Sequence, residues 1–239
     1  MTTVLAIDQG TSGTKAVVVG SDGEILSLSE VSVRPTYLPG GGVEHDPEAL
    51  LDSVLRAGRV AVNTANVDVD VVTLANQGET VLAWDPDSGR PLSNMIVWQD
   101  RRSESICAEL REHADEITAR TGLVLDPYFS APKQAWLRRE VTTEGVVTTS
   151  DSWLLHRLTG EFVTDASTAS RSLVVDLDDV AWAPRPPRPV RARRRADAQH
   201  PRVRRRGRIH DSIRRLGRGR RARGRSAGRT RRTGVSAAG

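Results

Sequence analysis

Apolar residues recur along this chain with two periods, and the change of period divides it into elements. Thr3 to Ile7 is a short apolar run that meets the polar stretch Asp8 to Lys15, and Ala16 to Val19 is a second run. Two such runs about a glycine-containing turn predict a hairpin. Ser21-Asp22-Gly23 marks another turn, and Glu24 to Val33 alternates well enough for a third strand, so the chain is expected to open with three antiparallel strands. Residues 34–46, rich in Pro and Gly, read as loop. Asp46 then precedes Pro47 and Glu48, with Leu50, Leu51, Val54, Leu55, Val60 and Ala61 at helical spacing. Asp as N-cap with Pro at the first helical position is a start signal. Val69 to Ala75 reads as a buried strand and Thr80 to Trp84 as another. The pattern predicts an amphipathic helix over 102–120, ending before Gly122, and shorter helices over 132–139 and 150–158, with Gly160 after the last. A meander followed by alternating helices and strands implies an α/β domain.

Charge changes the picture after Trp182. Residues 1–182 carry 14 Lys and Arg against 28 Asp and Glu, whereas Ala183 to Gly239 hold 21 Arg, no Lys and 2 Asp. The overall net charge of +5 averages two unlike pieces and says little about partners. Leu216 is the one Leu of this second piece, which has no Phe, Trp, Tyr or Met. Such a segment buries too little apolar area to offset its ordering entropy and is expected to be disordered. The expected organisation is therefore one domain over 1–182 and an Arg-, Pro- and Gly-rich tail over 183–239. Cys107 is the sole cysteine, which excludes an internal disulfide and suits a reducing compartment. No His or Cys cluster has zinc-ligand spacing. The start lacks the basic and apolar regions of a signal peptide, and no apolar run approaches the roughly 20 residues of a membrane helix. A cytoplasmic protein without membrane partners is expected.

Five polar strings interrupt the apolar pattern. In Asp8-Gln9-Gly10-Thr11-Ser12-Gly13-Thr14-Lys15 a tight turn of Gly and hydroxyl residues lets backbone N–H groups approach phosphate oxygens. Asp8 is placed to hold a metal-bound water and Lys15 to meet phosphate charge; a polar hairpin with no ligand is the alternative. In Gly42-Val43-Glu44-His45-Asp46-Pro47, capping accounts for Asp46, and His45 reads as a surface loop residue. Asn76-Gln77-Gly78-Glu79-Thr80 lies between two strands, where the Glu79 carboxylate can accept hydrogen bonds from vicinal hydroxyls. The competing reading is a β-turn with Gly78 at positive φ. Ile96 to Arg102 offers Trp98 as an apolar wall for the C–H face of a sugar, or else a core Trp followed by Asp100 as a helix cap. In Gly122 to Leu137, Tyr128 presents a phenol to a small polar ligand, while Trp136 and Leu137 read as helix core.

Together DQGTSGTKA, GGVEHDP, NQGET, IVWQDRR, DPYFSAPKQAW, Ser150 to Leu158 and Val163 to Arg171 resemble the FGGY carbohydrate kinases, most closely their glycerol kinases. The resemblance covers roughly residues 3–182 in the family's motif order. It implies a ribonuclease-H-like, actin/hexokinase-type ATPase domain, ATP and Mg²⁺ as cofactors, and transfer of a phosphoryl group to a polyol or sugar hydroxyl, glycerol first. It further implies that Thr11, Ser12, Gly13 and Lys15 bind nucleotide phosphates, that Asp8 lies near the metal, and that Glu79, Trp98 and Tyr128 contact the substrate. Full-length members of the family are often homo-oligomeric. Lys15 stands where glycerol kinases usually have Arg. Gly78 stands where they have the Arg whose guanidinium grips glycerol, a loss worth about 1.5–3 kcal/mol of binding, so a different polyol or a xylulose-type sugar is also an expectation.

The family's catalytic Asp and its second lobe fall beyond the point where the resemblance stops, and Asp197 and Asp211 lack matching surroundings. No catalytic residue is assigned, and the 239-residue chain is expected to be inactive. The abrupt loss of Leu and excess of Arg suggest GC-rich coding sequence read out of frame. Two other classes remain open: a non-catalytic polyol- or nucleotide-binding remnant, and a sequence-blind nucleic-acid binder acting through Arg runs such as Arg193–Arg195. The Arg runs have no interleaved aromatics for base stacking, so no specific nucleic-acid partner is expected.

Overall fold

The computed structural model describes residues 2–178 and the residue pairs 181–182 and 202–203. Strands β1 (Val4–Gln9), β2 (Gly13–Val19) and β3 (Ile25–Ser32) form the expected antiparallel meander. In β1, Leu5, Ile7 and Gln9 turn inward while Asp8 faces out, as the two-residue period dictates. Helix α1 (Pro47–Ala65) starts as predicted: the Asp46 carboxylate accepts the N–H groups of Glu48 and Ala49. Its apolar stripe, Leu50, Leu51, Val54, Ala57, Ala61 and Val62, packs with Leu5, Ile7, Ala16 and Val18 in one core.

The region 34–46 is not plain loop. Strand β4 (Thr36–Leu38) and β5 (Gly42–His45) pair antiparallel across a short turn at Pro39–Gly41, where Gly40 and Gly41 take positive φ. Strand β6 (Val71–Asn76) pairs parallel with β1, completing a sheet of order β3-β2-β1-β6. It alternates between exposed and half-buried residues and is not the fully buried strand expected, because it has β1 on one side only among the described residues. Strand β7 (Val81–Trp84) is buried throughout, and with β8 (Met95–Ile96) and β9 (Val146–Thr149) it builds a second sheet of order β4-β5-β8-β7-β9. Gly145, at φ 61°, makes the tight entry into β9: a Cβ there would sit 2.3 Å from the Trp84 carbonyl oxygen.

The helix expected over 102–120 is broken into α2 (Glu104–Glu109) and α3 (Ala114–Thr121), with a short 3₁₀ turn at Arg111–His113 between them. Asp100 does not cap it. One carboxylate oxygen accepts the Arg102 N–H, the other accepts the Val43 N–H at 2.7 Å, and Arg102 also pairs with it through its guanidinium. Helices α4 (Ser130–Glu140) and α5 (Ser150–Thr159) follow as predicted, α5 ending at Gly160 with φ 79°. Beyond them lie β10 (Val163–Thr164), α6 (Ala166–Ser170) and β11 (Val175–Asp176). Strand β12 (Ala181–Trp182) pairs antiparallel with β11, and β13 (Arg202–Val203) runs parallel to β10. The remainder of the tail expected to be disordered lies outside the described residues.

Candidate functional site

Two parallel strands, β1 and β6, end side by side, and in α/β sheets such carboxyl ends border the ligand crevice. The Gln77 N–H donates to the Gln9 carbonyl at 2.7 Å, which joins the first polar string to the third. Between them Thr11 acts as a hub. Its hydroxyl donates to Gln77 Oε1 at 3.2 Å and accepts from Trp98 Nε1 at 2.9 Å. The Trp98 ring lies 5.5 Å from that of Tyr128, tilted by 58°. Tyr128 in turn stands against the Arg171 guanidinium, 5.8 Å from its ring centroid, and Arg171 Nε donates to Glu79 Oε1 at 2.7 Å. A continuous line of contacts thus runs Gln77, Thr11, Trp98, Tyr128, Arg171, Glu79. It joins Thr11 to all three expected substrate residues.

Glu79 is buried, and it carries the positive φ, 58°, expected of Gly78. That backbone conformation costs a non-glycine residue on the order of 1 kcal/mol or more, and strain of this kind gathers at functional sites. Gly78 itself is not in the left-handed region, and a Cβ added to it meets nothing within 4 Å.

The residues expected at the nucleotide phosphates sit at the tip and outer face of the β1–β2 hairpin. Gly10 N–H closes the turn onto the Gly13 carbonyl at 2.9 Å. Among the described residues, the N–H groups of Thr11 and Ser12 make no hydrogen bond to the protein. Asp8 and Lys15 are exposed and stand opposite each other in register. They occupy the sheet face away from α1, since Leu5 and Ile7 are the β1 residues that approach Gly58 of that helix. Thr11 is the one phosphate-binding candidate that touches the substrate line directly.

Lys133 and Arg171 were given no role from the sequence, and His45 is placed differently from its reading there. Lys133 is fully buried, and its ammonium donates to the carbonyls of Pro127 (2.9 Å), Tyr128 and Phe129 (2.8 Å). Burial drives its pKa down to about 7, against the opposing pull of Glu79, Asp100 and Asp126. His45 is not a surface loop residue but is 1 % exposed at the end of β5, with neither ring nitrogen hydrogen-bonded among the described residues. Burial lowers its pKa, so the ring is neutral near pH 7. Arg171 closes α6, and the Ala131 N–H docks its neighbour Ser172 against the start of α4 at 2.9 Å. A contact spanning 92 residues, as between Arg171 and Glu79, leaves no local spacing to read. Cys107 has its thiol pushed up to about 11 by burial and stays protonated.

The arrangement gathers groups that are chemically complementary to vicinal hydroxyls. A carboxylate accepts from hydroxyls, a guanidinium and a phenol donate to them, and Trp98 offers an apolar wall. Comparison with known proteins identifies the family. Residues 3–205 match the N-terminal domain of the FGGY family of carbohydrate kinases. Glycerol kinase of Methylibium petroleiphilum is 43% identical over 198 residues, covering 77% of this chain and 40% of the relative. That of Thermus brockianus is also 43% identical, covering 75% and 39%. This chain therefore spans about 40% of the length of the curated relatives it matches. Among solved structures, Plasmodium falciparum glycerol kinase with ADP superposes with TM-score 0.73 at 28% identity, over 77% of this chain and 40% of that one. A ligand-bound xylulose kinase from Lactobacillus acidophilus shares the fold, with TM-score 0.77 at 19% identity over 91% and 46%. No described helix is long and apolar enough to cross a membrane. With its mixed α/β fold of the actin/hexokinase type, the chain belongs to the FGGY family of carbohydrate kinases, whose N-terminal domain it matches.

Proposed function

We propose that this chain supplies the acceptor-binding part of an ATP-dependent kinase that phosphorylates a hydroxyl of glycerol or a closely related polyol. The observation that carries the reading is the joining of Thr11, Trp98, Tyr128 and, through Arg171, Glu79 in one unbroken line of direct contacts. The glycerol kinases among its relatives put glycerol first, and the open space at Gly78 keeps longer polyols and xylulose-type sugars as candidate acceptors.

Phosphoryl transfer depends mainly on positioning and on charge stabilisation. In this reading Glu79 and Tyr128 orient the acceptor hydroxyls, Trp98 covers its C–H face and keeps water from one side, and Thr11 ties that wall to the phosphate end. The hairpin tip fits a nucleotide triphosphate: the Thr11 and Ser12 N–H groups are unused among the described residues, Ser12 and Lys15 are exposed, and Gly13 keeps the turn narrow. Asp8, exposed on the same face as Lys15, suits a hard cation such as Mg²⁺, held through water. When bound, the metal would neutralise charge on the transferring phosphoryl group. Nothing in the crevice line serves as a base, because Glu79, its one carboxylate, is committed to Arg171. The 239-residue chain is accordingly expected to bind a polyol without transferring phosphate at a useful rate.

Calorimetry on the full chain tests this reading. Glycerol, xylitol and ribitol are titrated in turn, then ATP with Mg²⁺, followed by a coupled assay for ADP. Saturable binding of at least one polyol, lost in Trp98→Ala and Glu79→Gln, is expected. The absence of heat with every polyol would sink the acceptor-site reading, and ATP-dependent turnover would overturn the expectation of inactivity. A non-catalytic binding remnant predicts the same binding, and a full-length relative carrying the Gly78 change separates the two by its turnover.

A further inference from the structure

Two cations lie near the Glu79 carboxylate, and they are engaged differently. Lys133 is buried, and its three ammonium protons are taken by the carbonyls of Pro127, Tyr128 and Phe129. Arg171 has a side chain 41% exposed, against 6% for Glu79. It uses Nε for the carboxylate. Its guanidinium carbon stands 4.9 Å from the Phe129 ring centroid and 5.8 Å from that of Tyr128. An ion pair made only for stability has no need of a fork lying at the mouth of the crevice among aromatic rings. A guanidinium carries five N–H donors in a rigid plane, so one bond to Glu79 fixes its orientation while its outer edge remains open to solvent. Its backbone is fixed as well, since the Ser172 carbonyl is bonded to the Ala131 N–H at the start of α4. Leu173 next in line is held at φ 66°, strained for a branched side chain.

We infer that Arg171 is a polyol-binding and specificity-determining residue, donating through its outer guanidinium edge to an acceptor hydroxyl while Glu79 accepts from the neighbouring one. The inference rests on the acceptor-site reading and names the donor in it. Position 78 supplies no competing donor, since Gly78 has neither charge nor bulk and a Cβ there would meet open space. The substrate class is a polyol with vicinal hydroxyls, one of them reaching the side of the crevice closed by α6.

The test is titration calorimetry on the intact 239-residue chain with glycerol and with propane-1,2-diol, which lacks one terminal hydroxyl. Arg171→Met and Arg171→Lys are compared with the unaltered chain, and melting temperature is recorded for each. Arg171→Met is expected to weaken glycerol at least tenfold and to bring the affinities for glycerol and propane-1,2-diol to within about twofold of each other. Arg171→Lys is expected to recover part of the preference for glycerol. A purely structural ion pair would lower the melting temperature and leave that preference intact. Glycerol affinity within twofold of the unaltered chain in Arg171→Met, or an unchanged preference, overturns the assignment while leaving the acceptor-site reading in place. If the unaltered chain binds no polyol, the acceptor-site reading fails and the role of Arg171 falls with it. Should Arg171→Met not fold, Gly78→Arg decides: a second guanidinium beside Glu79 should raise glycerol affinity in the unaltered background, and no change overturns a donor role at this carboxylate.

Discussion

At the scale of single residues, Lys133 decides whether Tyr128 is held in place. Its ammonium satisfies three consecutive carbonyls of the Pro127–Phe129 turn, so its removal leaves buried acceptors without a donor. A buried polar group without its partner costs about 1–3 kcal/mol. Lys133→Met is therefore expected to destabilise the fold by about 2–3 kcal/mol in urea unfolding and to weaken polyol binding by loosening Tyr128. An unchanged midpoint would show that the carbonyls find other donors. Thr11, Glu79, Trp98 and Tyr128 were legible in the sequence because each sits in a polar string that breaks an apolar run. Arg171 and Lys133 were not, because each works through a contact fixed by folding. His45 misled for a related reason: a polar residue in a Gly-rich stretch reads as surface until β5 is seen to pair with both β4 and β8.

Elements were legible where their ends carry chemistry. Asp46 and Pro47 start α1 as the capping rule requires, and Gly122 and Gly160 end α3 and α5 in the left-handed conformation. Asp46→Ala should cost about 1 kcal/mol of stability, read from thermal or urea unfolding. Where no cap is written, the boundary is hidden: an apolar stripe over 102–120 gives no sign of the 3₁₀ turn at Arg111–His113. Strands β4 and β5 were hidden because Gly and Pro, which usually punctuate structure, here flank very short strands. The junction of β9, α5 and β10 contains an electrostatic feature. Asp151, in the first turn of α5, is 2 % exposed and pairs with the Thr164 hydroxyl, yet its other oxygen has no partner among the described residues. Burial raises its pKa from 3.8 to about 6. Between those values the folded form keeps a proton that the unfolded form has lost. The stability supplied by the neutral carboxyl is complete below about pH 4 and is lost as pH rises through 6, a change of roughly 3 kcal/mol. Asp151→Asn, which cannot ionise, should remove this slope between pH 4.5 and 7. If both proteins fall in parallel over that range, another group is responsible.

For the whole molecule, the asymmetry of the first sheet matters most. One face is closed by α1, which receives Leu5, Ile7, Ala16 and Val18. The register places Leu28, Val17, Ala6 and Thr73 in one row across the opposite face, where Leu28 is 59% exposed. Val19, Val4 and Val71 form the next row, and Val71 is 44% exposed. Strand β6 also carries no partner on its outer edge among the described residues. Asp8 and Lys15 occupy one end of this face; its apolar end, beside an open parallel edge, is a surface on which copies of a chain associate, whether through side chains or through ladder hydrogen bonds. Charge placed on that face should oppose both routes with little effect on the core, because the substituted side chains already face solvent. Leu28→Lys combined with Val71→Lys is therefore expected to lower concentration-dependent light scattering of the purified chain several-fold and to leave its melting temperature within a few degrees. Polyol binding should persist, since neither residue contacts the line from Gln77 to Glu79. If scattering is unchanged, association runs through other surfaces, and the apolar rows over β3, β2, β1 and β6 are not the adhesive face.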